Sequence, residues 1–227
     1  MTTLKAAFLH SAWGDDATIS QESDTVDPRA PRVILGREQS LFVTQDKKNP
    51  GKRCYRLFID KFIGGEAGTM HQIHNCLLDA QAPDTLEVRL NNYGGVVSEG
   101  VRLIHVMENS FHERTTTVLE CNAMSMAAVV FVKGTIRVVH PLSRLMFHNY
   151  SSGVIGKGGE ISDVVDQENS TRDKLYEEIL AKGWLTQEEY RRMLDGKDIY
   201  LEFEDLVERG IATHVMDKGD CVPVDEY

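Results

Sequence analysis

From Arg32 onward the chain alternates short apolar runs with stripes at helical spacing. Val33-Ile34-Leu35 and Leu41-Phe42-Val43 read as strands, Asn49-Pro50-Gly51 as a turn, and Tyr55 to Ile59 as a further strand. Gly64-Gly65 breaks the chain, after which Met70, Ile73, His74, Leu77 and Leu78 mark one face of a helix. A regular alternation follows. Leu86 to Leu90 is a strand, Gly94-Gly95 a turn, and Val97 to Glu108 a helix with Val101, Ile104, His105 and Met107 clustered. Thr115 to Glu120 is rich in β-branched residues and reads as a strand. Met124 to Val132 is almost wholly apolar, as a buried helix would be, and Ile136 to Val139 and Leu145 to Phe147 are two more strands. Strands and helices alternating at this pitch predict βαβ units, a largely parallel sheet and an α/β fold.

The ends differ from this middle. Residues 1–31 are polar and turn-rich, with Gly14-Asp15-Asp16, Asp27-Pro28 and Ala30-Pro31, and read as an N-terminal arm or extension. Residues 32–220 read as one domain and 221–227 as a C-terminal tail. In the last third, Gly156-Lys157-Gly158-Gly159 opens a long helix over about Glu160 to Ala181, with Gly183 placed to close it. Its apolar positions Ile161, Val164, Val165, Leu175, Ile179 and Leu180 fit a 3.6 period, and Gln167 to Asp173 form a polar middle. A helix this long, partly unsupported by the next strand, is expected to project and pack on another subunit. Thr186 and Glu189 have the spacing of a capping box for a second, short helix.

Composition narrows the function classes. At 227 residues, with 41% hydrophobic and 26% charged, the chain has enough apolar material for a real core without disulfide or metal staples. The 35 acidic residues against 25 basic ones give a net charge of -10, which argues against nucleic acid as a partner. No apolar run approaches the ~18 residues of a membrane span, and Met1 to Asp16 lacks the pattern of a secretory signal. Cys54, Cys76, Cys121 and Cys221 include no Cys-x-x-Cys pair, so free thiols in a reducing cytoplasm are expected. His71-x-x-His74 with Cys76 nearby has no second ligand cluster, and neither a metal nor another cofactor is expected. Lys157 among glycines fails the phosphate-loop pattern, so the chain carries no recognisable ATPase.

Four segments carry candidate chemistry. Ser125, in Asn122-Ala123-Met124-Ser125-Met126-Ala127-Ala128, lies at a strand-to-helix junction, where free amides and the helix dipole favour a developing anion. That suits a nucleophile with an adjacent oxyanion hole, and equally a buried serine bonded to a carbonyl; a Gly-x-Ser-x-Gly elbow is absent. His148 ends a strand, where it is placed to act as a general base or to sit at the surface, with His140 a weaker rival. Gly94-Gly95 either lets backbone amides approach a ligand or simply makes a tight turn. Asp198, after Asp195-Gly196-Lys197, either orients an imidazole or solvates a loop. Cys121, at the end of an apolar strand, is an alternative nucleophile but reads better as core.

Together these segments resemble the Clp protease proteolytic subunit family. The family's Asn-Ser-Pro-Gly-Gly-x-Val pattern corresponds to Asn91-Asn92-Tyr93-Gly94-Gly95-Val96-Val97, and its Ala-Ala-Ser-Met-Gly to Ala123-Met124-Ser125-Met126-Ala127. Its Pro-Asn-Ser-Arg-x-Met-x-His corresponds to Pro141-Leu142-Ser143-Arg144-Leu145-Met146-Phe147-His148. Asp198-Ile199-Tyr200 resembles the acid segment, twelve residues before Gly210 in a Glu-Arg-Gly turn. The resemblance runs from about Tyr55 to Val215.

It implies a stacked βαβ spiral of the Clp protease and crotonase type, with a handle region over about 150–185 whose helix protrudes. It further implies a serine endopeptidase with Ser125 as nucleophile, His148 as base, Asp198 as orienting acid, and the Gly95 and Met126 amides as oxyanion hole. Gly153 and Gly156 belong to the stretch, Gly153 to Gly158, that resembles a substrate-aligning edge strand. Heptameric rings stacked in pairs, polypeptide substrates and an ATP-dependent (AAA+) unfoldase are the implied partners. Tyr93, Tyr150 and Ala127 stand where the family has Pro, Pro and Gly, which leaves the triad intact but bears on substrate preference. Residues before about 30–50 match poorly, so the family's N-terminal docking functions do not carry over. The rival readings are a non-catalytic ring subunit and, behind it, a crotonase-type acyl-CoA enzyme.

Overall fold

The structure, a computed structural model, describes residues 32–36, 39–64 and 67–227; the arm expected over 1–31 lies outside them. The described residues form a mixed α/β protein built on a ten-stranded sheet. β1 (Arg32–Leu35), β2 (Gln39–Gln45) and β3 (Arg53–Ile63) pair antiparallel at one flank. From β3 the sheet turns parallel through β4 (Thr85–Gly95) and β5 (Thr115–Met124). α1 (Ala67–Leu78) and α2 (Val97–Ser110) are the crossovers, as the periodicity predicts. Both flanks depart from the expected parallel order. They are hairpin connections, which need only a turn where a parallel step needs a whole crossover.

β5 is the branch point. Its first half, Thr116 to Leu119, pairs with β6 (Ile136–Val139), and its second half, Asn122 to Met124, with β7 (Arg144–Phe147). Glu120 and Cys121 fall in the gap, which is why Cys121 is exposed rather than in the core. α3 (Met126–Val132) follows β5 and is buried along its whole length, each large side chain contributing about 1.5–3 kcal/mol. β6 continues in parallel to β9 (His214–Asp217), which pairs antiparallel with β10 (Asp220–Pro223). The residues expected as a tail, 221–227, therefore complete a hairpin, and the Tyr227 ring meets Phe203 edge-on at 6.0 Å. All four cysteines are free.

Alternation along β4 gives the sheet two unlike faces. Leu86, Val88 and Leu90 are buried on the face that α2 and α3 cover. On the other face Arg56, Glu87, Arg89 and Glu120 form a chain of ion pairs at 2.7 to 3.0 Å across β3, β4 and β5. These pairs are solvent-screened and add little stability, but they satisfy a face that apolar residues would make sticky.

α4 (Gly158–Ala181) matches the expected long helix, and Gly183, at φ 70°, follows its end. Only its C-terminal half is anchored in the core, through Tyr176 and Ile179; Ile161 and Val164 are half-buried and Val165 is exposed. Lys133 and Lys182 hold Glu178 between them at 2.6 Å each. α5 (Gln187–Leu194) begins with the expected box: Glu189 N–H donates to Thr186 Oγ1 at 3.1 Å, and Thr186 N–H to Glu189 Oε2 at 2.8 Å. β8 (Ile199–Leu201) and α6 (Phe203–Glu208) follow, β8 pairing antiparallel with β7.

Candidate active site

The candidate residues converge at one end of the sheet, and register explains why. β4, β5 and β7 are parallel neighbours, with Asn92 opposite Ala123 and Met124 opposite Met146. Gly94-Gly95, Ser125 and His148 therefore stand at the carboxyl ends of three adjacent strands, where open α/β sheets bind ligands. β8 runs the other way, so its start meets the end of β7: the ladder closes with Phe147 opposite Ile199, and His148 and Asp198 are the residues that follow and precede that last pair.

Ser125 is bent into the turn between β5 and α3 at φ 56° and ψ −128°, a conformation that costs a non-glycine residue about 1–3 kcal/mol. The surroundings over-determine it. Ser125 N–H donates to Met146 O of β7 at 2.8 Å, and Ser125 O accepts from Ala128 N–H at 3.0 Å. Next to it, Met126 lies so close on α2 that a Cβ at Gly100 would stand 2.3 Å from its side chain. Gly94, at φ 105°, presses from β4: a Cβ there would lie 2.6 Å from Ser125 Cβ and 3.1 Å from its Oγ. The Gly94 amide is committed to Asn92 Oδ1 at 2.7 Å. Gly95 packs so tightly on β3 that a Cβ would meet Ile63 O at 2.2 Å. Met126 opens α3, and the amide of a first helical residue has no acceptor within its helix.

Ser125 and His148 line the same cleft, with Val97, Met126, Val129 and Leu175 as apolar walls. Among the described residues the Ser125 hydroxyl and the His148 ring share no hydrogen bond, and neither do His148 and Asp198; Asp198 is exposed and outside the cleft lining. Catalytic hydrogen bonds are often long before substrate binds.

Sequence reasoning missed that α4, which carries Leu175, walls the cleft. Tyr150, Glu168, Thr171, Arg172 and Tyr176 also line the cleft. α4 is latched to the segment after His148: Tyr176 OH donates to His148 O at 3.4 Å, and its ring meets Phe147 edge-on at 5.9 Å. Burial pushes the Tyr176 phenol up, so it stays a neutral donor. Arg172 Nη1 donates to Asn149 Oδ1 at 3.3 Å and to Asn169 Oδ1 at 2.8 Å, while Tyr150 OH donates to the same Asn169 oxygen at 3.1 Å. Burial works against the Arg172 charge, and the hydrogen bonds and charges of Asp173 and Tyr190 together outweigh it. The available signal was the polar middle of α4, whose Glu168, Thr171, Arg172 and Leu175 share one helical face.

Gly153 and Gly156 sit in an exposed stretch between β7 and α4 that is not a strand. The edge strand expected there is missing because a strand needs a ladder partner, and no described strand runs beside residues 148–157. The residues described offer no group of three His, Cys, Asp or Glu fit for a metal ion, and none of their helices is long and apolar enough to cross a membrane. His71 is exposed beside Asn75, whereas His74 is fully buried.

An α/β chain that bends a serine into a strained strand-to-helix turn, beside a histidine ending the neighbouring strand, has the outline of a serine hydrolase. Residues 62–219 match the family model for Clp protease, a span that includes every candidate residue above, and the chain belongs to the Clp protease family.

Proposed function

We propose that the chain is a serine endopeptidase in which Ser125 is the nucleophile, His148 the general base and Asp198 the orienting acid. The observation that carries this reading is the strained Ser125 turn opening onto the cleft that His148 also lines. His148 takes the Ser125 hydroxyl proton as Oγ attacks the peptide carbonyl carbon, and the Gly95 and Met126 amides donate to the resulting oxyanion. The tetrahedral adduct collapses, the amine leaves with the proton from His148, and water clears the acyl-enzyme by the same route. Asp198 immediately precedes Ile199, whose ladder partner Phe147 immediately precedes His148, which supports its role as the orienting acid.

The remaining features fit the family's architecture. α4, anchored by one half, reads as a handle helix whose half-exposed Ile161, Val164 and exposed Val165 await another subunit. The protease domain runs from Arg32 to the C-terminal hairpin and Tyr227. The chain assembles into stacked heptameric rings, and polypeptides reach the enclosed sites through an ATP-dependent unfoldase. Gly153 and Gly156 lie on the unpaired stretch after β7, to which an extended substrate supplies the missing ladder partner.

The test is labelling with a fluorophosphonate, wild type against Ser125→Ala, read by intact mass. One adduct on wild type and none on the variant is expected. The unformed Ser125–His148 bond favours one rival, a non-catalytic ring subunit. A chain that assembles into rings of normal mass yet takes no label would establish that rival.

A further inference from the structure

We propose that the cleft beside Ser125 selects a cationic side chain on an aliphatic stem, Lys or Arg, at the residue whose carbonyl is attacked, and that Glu168 sets this preference. The inference rests on the peptidase reading. Val97, Met126, Val129 and Leu175 give the cleft apolar walls, which suit methylene groups. Glu168 and Arg172 supply its charges from the polar middle of α4.

Those two charges are not equivalent. Arg172 is committed: Nε and Nη2 donate to Asp173 Oδ1 at 2.9 and 2.8 Å, and Nη1 goes to Asn149 and Asn169. Asp173, which also accepts from Tyr190 OH at 2.7 Å, thus offsets the Arg172 charge outside the cleft. Glu168 is partly buried and lines the cleft, and among the described residues its carboxylate pairs with no cation and accepts no hydrogen bond. Glu168, Arg172 and Asp173 together leave one uncompensated negative charge, on a residue that lines the cleft. An apolar side chain would strip water from that carboxylate without replacing it, and an acidic one would repel it. A lysine or arginine lays its stem along the apolar walls and brings a charge-assisted donor to Glu168.

The test uses the full chain as it assembles and peptides that differ only at the residue before the cleaved bond: lysine, norleucine with the same stem and no charge, or glutamate. Lysine should exceed norleucine in kcat/KM by about tenfold or more, the scale of one charge-assisted bond, with glutamate the poorest. Peptidyl phosphonates bearing lysine or norleucine should show the same order in their rate of reaction with Ser125. Glu168→Gln should bring the lysine-to-norleucine ratio to within about twofold of unity, and Glu168→Lys should favour glutamate over lysine. If wild type labels with fluorophosphonate but norleucine matches lysine, the preference is wrong and the peptidase reading stands. A lysine preference unchanged in Glu168→Gln overturns the role of Glu168. If no probe reacts and no peptide is cut, both proposals fall.

Discussion

β5 and β7 are parallel neighbours that end one register step apart, yet their carboxyl ends are held in opposite ways. β5 runs directly into a helix buried along its whole length, and Ser125 is pinned by Met146, Ala128 and the close face of Gly94. β7 runs past His148 into residues 148–157, where Ser151, Ser152 and Gly153 are exposed and Ile155 is fully so. What steadies the His148 end is α4, through Tyr176, Arg172 and Asn169. One half of the site is thus fixed by the sheet's own connectivity, and the other by a helix that docks more than twenty residues later.

The sharpest way to break this contrast is Gly94→Ala. The methyl group would stand 2.6 Å from Ser125 Cβ on a backbone at φ 105°. We expect a stability loss of about 1–3 kcal/mol from backbone strain alone, and Ser125 labelling slowed at least a hundredfold. Labelling at the wild-type rate would mean that the turn is not pinned from β4.

The layer beneath the turn gives the next largest effect. His74 of α1 is fully buried with no hydrogen-bond partner on either ring nitrogen, and its Nδ1 stands 3.7 Å from the Glu99 carboxylate on the first turn of α2, close to Gly95 in sequence. Burial, helped by Arg102 and opposed by Glu99, lowers its pKa from 6.5 to about 4. A depressed pKa stabilises the fold fully above 6.5, and that contribution drains away as pH falls from 6.5 toward 4, by at most about 3 kcal/mol. Urea midpoints measured across that window should fall in wild type and lose this slope in His74→Leu. A slope that survives the substitution would move the acid sensitivity elsewhere.

On the other side, Arg172→Met keeps the stem of the latch and deletes its donors. Loss of charge-assisted bonds to Asn149, Asn169 and Asp173 should cost about 1.5–3 kcal/mol, discounted for partial solvent access. Labelling of Ser125 should slow as the His148 end loosens. A thermal melt that drops while labelling holds would show that α4 braces the fold and not the base.

The same division marks what the sequence reveals. β4 with Gly94-Gly95 and β5 with Ser125 are legible because long apolar alternation meets glycines or a small-residue junction at a sharp boundary. β8 escapes notice at three residues, and β9 and β10 because half-exposed hairpin strands mix His, Asp and Pro with their apolar residues. Asp198 is readable only as one loop acid among several; that the strand it precedes pairs with the strand His148 follows comes from an antiparallel ladder that no local pattern announces. The polar middle of α4 is visible as an interrupted stripe, but that it faces the cleft depends on a docking angle set by Tyr176 and Ile179. Gly153 to Gly158 is expected as an edge strand only through the family resemblance, and no described strand supplies the ladder partner it would need.

The smallest effect asks whether that stretch is built for a partner. A Cβ at Gly153 meets no atom within 4 Å, so Gly153→Ala should change stability by no more than about 0.5 kcal/mol, with a slight gain if the unfolded chain is restrained. Gly153→Pro should be equally quiet in the melt, since no described strand pairs there, but it removes an amide donor. If the segment aligns substrate by strand addition, the proline variant should take the small fluorophosphonate at the wild-type rate and cut long peptides more slowly. Equal loss with probe and peptide would instead place the disturbance at His148. No loss with either would show that residues beyond the β7 end do not engage the substrate backbone, and the division between a self-built nucleophile and a partner-completed wall would fail.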